Sequence, residues 1–97
     1  MEIFMKYQNM DELRKDINLL DNELLSLFDK RFNLIKDAAF LKSNFKELRD
    51  NERIEKVIKR MREKSSTVDL SEDLIEDLWR YIIELSIKYE TEIFNKK

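Results

Sequence analysis

The chain has 97 residues, the size of one domain, with 19 basic and 21 acidic side chains and a formal net charge of −2. Gly, Pro, Cys and His are all absent, which excludes disulfides, the common zinc and iron ligand sets, a thiol nucleophile and an imidazole base. The near-balanced charge argues against a general nucleic-acid binder, and no apolar run approaches a membrane span.

With 41% charged and 42% hydrophobic residues and nothing to supply tight hairpins, the composition predicts an all-α fold with solvated outer faces. Met1 to Gln8 lacks a long apolar core and a small-residue cleavage site, so no signal peptide is expected and the expected location is the cytoplasm. Asn9 followed by Glu12 reads as a capping box that opens a first helix near Met10. Leu13, Ile17, Leu20, Leu24 and Leu27 then recur in steps of four and three, with Ile35 and Ala38 further on. The pattern predicts a helix over about 10–42, roughly 50 Å long at 1.5 Å per residue. A loop over about 43–49 follows. Asp50 is placed to cap a second helix over about 51–64, with the apolar stripe Ile54, Val57, Ile58 and Met61. After a break from Lys64 to Leu70, Ser71 caps a third helix over about 72–94, in which Ile75, Leu78, Ile82, Leu85 and Tyr89 share a face. The first helix is too long for the other two to cover its seam. A second copy would cover it, so an intertwined homodimer is expected; a plain antiparallel coiled coil fits the periodicity equally well.

Two stripes carry polar groups where a bundle has no need of them. Arg31, Ile35, Ala38 and Lys42 form one line along the first helix, so two cations flank an apolar floor made small by Ala38. Snorkelling from the core edge explains the same pattern. Trp79, Ile83, Ser86 and Glu90 form the matching line on the third helix, where Ser86 and Glu90 interrupt an apolar face. Arg14 lies about 100° around the first helix from Arg31 and points elsewhere, so it could reach a site belonging to a partner subunit. Arg53 opposes the dipole in the first turn of the second helix, unless a salt bridge to Glu52 or Asp50 accounts for it.

These residues resemble the all-α, type II chorismate mutase family over almost the whole chain. The likeness is carried by Leu13-Arg14-Lys15-Asp16-Ile17-Asn18-Leu19-Leu20-Asp21, Leu24-Leu25, Lys30-Arg31 and Leu41-Lys42 in the first helix. Arg49-Asp50-Asn51-Glu52-Arg53 opens the second, and Ile82-Ile83-Glu84-Leu85-Ser86-Ile87 lies in the third. The resemblance implies an intertwined homodimer with two equivalent sites, an isomerase of the shikimate pathway serving aromatic amino acid biosynthesis, a small dianionic substrate, and no cofactor or metal. Arg14 matches the Arg contributed across the interface, and Arg31 the Arg that joins it on the enolpyruvyl carboxylate. Lys42 matches the Lys on the ether oxygen and carboxylate, and Asp50 a residue near the ring hydroxyl. Arg53 and Ser86 match groups holding the ring carboxylate, and Glu90 falls at the second ether-oxygen partner. Ile54, Ile83 and Ile87 line the same site. Lys42, Glu90 and Arg31 would carry the catalysis. The implied reaction is an intramolecular pericyclic rearrangement, which needs no nucleophile, so a chain without His or Cys is suited to it. On this reading Lys42→Ala is expected to cost activity far more than stability.

Two positions depart from the family pattern. Most members carry Gln where this chain has Glu90, and a carboxylate must be protonated before it donates a hydrogen bond. Activity is therefore expected to rise toward acidic pH. Many members also carry Glu where this chain has Ile54, which cannot bond the C4 hydroxyl of chorismate. Glu52-Arg53-Ile54 is similar to the pattern of the isochorismate pyruvate-lyases, and 4-amino-4-deoxychorismate would change the same contact. A non-catalytic helical dimerisation module is the remaining alternative.

Overall fold

The computed structural model describes residues 6–97. The expectation that no signal peptide occupies Met1 to Gln8 falls mainly on residues 1–5, outside those described. The described residues are helical, with three α-helices in the order α1 (Met10–Leu41), α2 (Asn51–Lys64) and α3 (Glu72–Lys96). Short 3-10 turns, Phe45–Leu48 and Ser65–Thr67, lie in the two connections. Helix α1 stops one residue short of the expected Lys42, and α3 runs two residues past the expected Phe94. No helix among the described residues is long and apolar enough to cross a membrane.

The chain divides into two compact units at Arg31 and Phe32. The first comprises the described N-terminal residues and α1 through Arg31. Its start is fixed as the sequence suggests: Asn9 Oδ1 accepts the Glu12 amide at 3.0 Å, and Glu12 Oε2 reaches back to the Gln8 amide at 3.2 Å. The Tyr7 hydroxyl donates to Asp16 one turn further on. The apolar seam Ile17, Leu20, Leu24 and Leu27 is exposed among the described residues, so within this unit α1 is laid down by local capping and periodicity.

The second unit runs from Phe32 to Lys97 and holds the core. Asp50 caps α2 by accepting the Arg53 amide at 3.0 Å, and Ser71 caps α3 by accepting the Leu74 amide at 3.1 Å. Helices α2 and α3 bury Ile54, Ile58 and Ile83 against each other, with Val57, Trp79 and Ile87 packed around them. Leu48 in the first 3-10 turn and Ala39 near the end of α1 are also buried, and Phe32 meets Tyr89 edge-to-face with ring centroids 5.3 Å apart.

The α3 face differs from the expected one. Ile75 and Ile82 are buried as expected, but Leu78 and Leu85 are exposed and Ile83, Ser86 and Glu90 are buried in their place. The cause is rotational: the inward face of α3 centres on Ile75, Trp79, Ile82, Ile83 and Ser86, and Leu78 and Leu85 lie about 85–105° away at 3.6 residues per turn. With Leu74 and Tyr81 they make a second, outward stripe.

Ion pairs clasp the outer edges of the α2–α3 pair. Arg62 reaches Glu72, Asp73 and Glu76, and Arg80 reaches Glu55 and Glu76. Arg49 grips Glu84 through both terminal nitrogens, at 3.1 and 2.8 Å. Hydrogen bonds from these arginines hold the Glu55, Glu76 and Glu84 carboxyls below their ordinary range.

Candidate active site

Lys42 follows the last residue of α1, and its amide still donates to the Ala38 carbonyl at 3.1 Å. Its side chain does not run out to solvent. Lys42 Nζ sits 2.5 Å from Glu90 Oε1, with the lysine side chain 27% exposed and that of Glu90 only 5%. Oε1 is fully buried and receives no directed hydrogen bond. The contact is therefore a close approach of charges at an unfavourable angle, and it leaves lone-pair capacity on Glu90 unused. Buried carboxylates are uncommon, and one paired with a partly exposed lysine on an otherwise apolar helix face is a candidate for function.

One turn before Glu90 on α3, Ser86 is buried and its hydroxyl donates to the Ile82 carbonyl at 2.7 Å. Ile83 and Ile54 form the apolar wall between α2 and α3, with Ile87 half-buried beside them. The polar Lys42–Glu90 pair and the apolar wall thus share the α3 stripe Ile83, Ser86 and Glu90 that its spacing singles out.

At the start of α2, the Asp50 carboxylate is engaged in capping the helix. Arg53 is exposed, and among the described residues its guanidinium forms no ion pair. The salt bridge to Glu52 or Asp50 that would have accounted for this cation is not formed; Glu52 lies instead 3.5 Å from Lys56. Arg14 and Arg31 belong to the N-terminal unit. Arg14 is exposed and has no ion pair among the described residues. Arg31 is half-buried, and burial lowers its pKa from the ordinary guanidinium value while leaving it a cation.

Lys97 was not singled out by any pattern in the sequence. Its ammonium donates to the carbonyls of Ala39 at 2.9 Å and Lys42 at 2.5 Å, immediately behind the Lys42–Glu90 pair. The signal available beforehand was negative: no Gly follows α1, and no basic residue lies in its last turn.

A family model described as chorismate mutase type II matches residues 13–91. The matched stretch takes in every candidate residue from Arg14 to Glu90, and the chain belongs to the chorismate mutase type II family. Comparison with curated proteins and with solved structures found no match. At the level of the family, the function is of the chorismate mutase type.

Proposed function

We propose that the protein is a chorismate mutase that converts chorismate to prephenate as a homodimer, without a cofactor. The observation that carries this reading is the buried Lys42–Glu90 pair with its unsatisfied carboxylate oxygen. The rearrangement breaks a C–O bond and forms a C–C bond within one molecule, so no atom is transferred and no base is required. A site accelerates it by holding a chair-like conformer and stabilising the charge that builds on the ether oxygen. Lys42 supplies a fixed positive charge there, and Glu90, in contact with Lys42, is the second group beside the same oxygen. Two substrate carboxylates call for guanidinium forks, and Arg31, Arg14 of the second copy and Arg53 are the candidates to supply them, with Ser86 as a further hydrogen-bonding group. Asp50 stands near the ring hydroxyl, and Ile54, Ile83 and Ile87 exclude water from the ring. The exposed seam of α1 supports a second copy as its cover, since an apolar stripe of that length is rarely left in water.

Ile54 favours a second reading. It is packed against Ile58 and Ile83, and an aliphatic side chain opposite the C4 position would offer no hydrogen bond there. A pocket of this kind also suits isochorismate, which would be cleaved to salicylate and pyruvate, or 4-amino-4-deoxychorismate. The test is product identification from chorismate and isochorismate in separate reactions at neutral and mildly acidic pH. Prephenate from chorismate supports the mutase. Salicylate with pyruvate, and little prephenate, replaces it with the lyase. No product from either leaves the aminated substrate or a non-catalytic module.

A further inference from the structure

The end of α1 poses a local problem of its own. The last carbonyls of any helix lack intrahelical partners, and the usual solution is a glycine in the left-handed conformation just beyond the end. This chain has no glycine, and no described residue adopts a positive φ. The last turn of α1 has no basic residue to meet the negative end of its dipole. Ala39 is 0% exposed, so water does not reach its carbonyl either.

Lys97 fills this role from a distant point in the sequence. Its ammonium donates to Ala39 O at 2.9 Å, Phe40 O at 3.4 Å and Lys42 O at 2.5 Å. The same nitrogen lies 4.6 Å from the centre of the Phe94 ring, which holds it over the helix end. One cation from the end of α3 thus gathers the carbonyls of the last turn of α1, including the backbone of the lysine whose side chain contacts Glu90 at 2.5 Å. Glu90 and Lys97 stand on the same terminal stretch of chain, so Lys42 is gripped from α3 twice, by its side chain and by its carbonyl.

We propose that Lys97 is a positioning residue for the reaction, fixing the backbone of Lys42 so that its ammonium is held where the ether oxygen develops charge. The inference rests on the reading of Lys42 given above, and Lys97 lies outside the stretch matched by the family model. A fixed charge that matters only in the transition state affects kcat, whereas a group that merely binds substrate affects KM. The test compares wild type, Lys42→Ala, Lys97→Met and Lys97→Arg by kcat, KM and Tm, on whichever of chorismate and isochorismate the wild type turns over. Lys97→Met is expected to lower kcat roughly tenfold or more at a temperature well below its melt, as small misplacements of a reacting group do, with KM near wild type and a lower Tm because the Ala39 carbonyl loses its donor. Lys97→Arg, which keeps the positive charge and several N–H donors, is expected to retain more kcat than Lys97→Met. Wild-type kcat in Lys97→Met, with Lys42→Ala inactive, overturns the role of Lys97 and leaves the reading of Lys42 standing. A kcat loss that only tracks a fall in Tm and is not restored by Arg also overturns it. Full turnover in Lys42→Ala, or no turnover of either substrate by wild type, overturns both.

Discussion

Replacing Lys42 by Ala removes a charge from the proposed site and at the same time strands Glu90, which is 4% exposed, without its counter-ion. The single variant therefore mixes two effects, and the expectation that activity falls far more than stability does not follow once the partner is known to be buried. Breaking a fully buried pair costs about 3–5 kcal/mol. The Lys42 side chain is 27% exposed and water can approach the gap, so about 2 kcal/mol is the appropriate scale. For a chain of this length that is a Tm drop on the order of 10 °C. A double-mutant cycle separates the terms. In Lys42→Ala/Glu90→Gln no buried charge is left, and Tm at one fixed protein concentration is expected to recover most of the loss. Turnover is not expected to recover: relative to Glu90→Gln alone, the double variant loses about 3–4 kcal/mol of transition-state stabilisation, or roughly 10²–10³ in kcat. Circular dichroism melts and initial-rate assays on the four proteins give the whole cycle. Turnover in the double variant equal to that of Glu90→Gln would refute the role assigned to Lys42, whatever the melts show.

Because a carboxylate only accepts hydrogen bonds whereas an amide also donates, Glu90→Gln is expected to turn over faster than wild type at neutral pH; turnover no different from wild type would remove Glu90 from the ether oxygen. If Arg14 acts across a dimer interface, mixing the inactive Arg14→Ala and Lys42→Ala proteins creates mixed dimers with one intact site, and activity is expected to return to about a quarter of wild type, whereas no recovery would place Arg14 outside the partner's site. The carboxyls of Glu55 and Glu76 are held below their ordinary value of 4.5 by hydrogen bonds from Arg80, so the stability they contribute is complete above that value and is lost as pH falls through their lowered values. Wild type is therefore expected to lose more Tm than Arg80→Met as pH is taken from about 5 to 3, and parallel losses would show that the clasp adds nothing.

The features legible in the sequence are those fixed by nearest neighbours. Asn9, Asp50 and Ser71 each cap a helix because the side chain that accepts the amide lies within three residues of it. The stripe Ile83, Ser86 and Glu90 was legible for a similar reason, since helical spacing puts its members on one face whatever that face meets. Which face of α3 turns inward was not. Leu78 and Leu85 are as apolar as Ile82 and Ile83, and the choice between them is made by what packs against α3, not by α3 itself. The pairing of Arg49 with Glu84 and the grip of Lys97 on α1 join residues 35 and 55 positions apart, and no local pattern encodes such a distance. Glu90 was legible as an interruption in an apolar stripe, but not as an unsatisfied buried oxygen, which depends on the angle at which Lys42 arrives.

The cluster formed by Arg62 and Arg80 with Glu55, Glu72, Asp73 and Glu76 ties α2 to α3 by charge. Hydration of charged groups weakens as water warms, so the cost of holding such a network falls with temperature, while the gain from apolar burial levels off. The two kinds of cohesion in this unit thus respond differently to heat. The charged clasp therefore gains relative to the isoleucine wall around Ile54 and Ile83 as temperature rises.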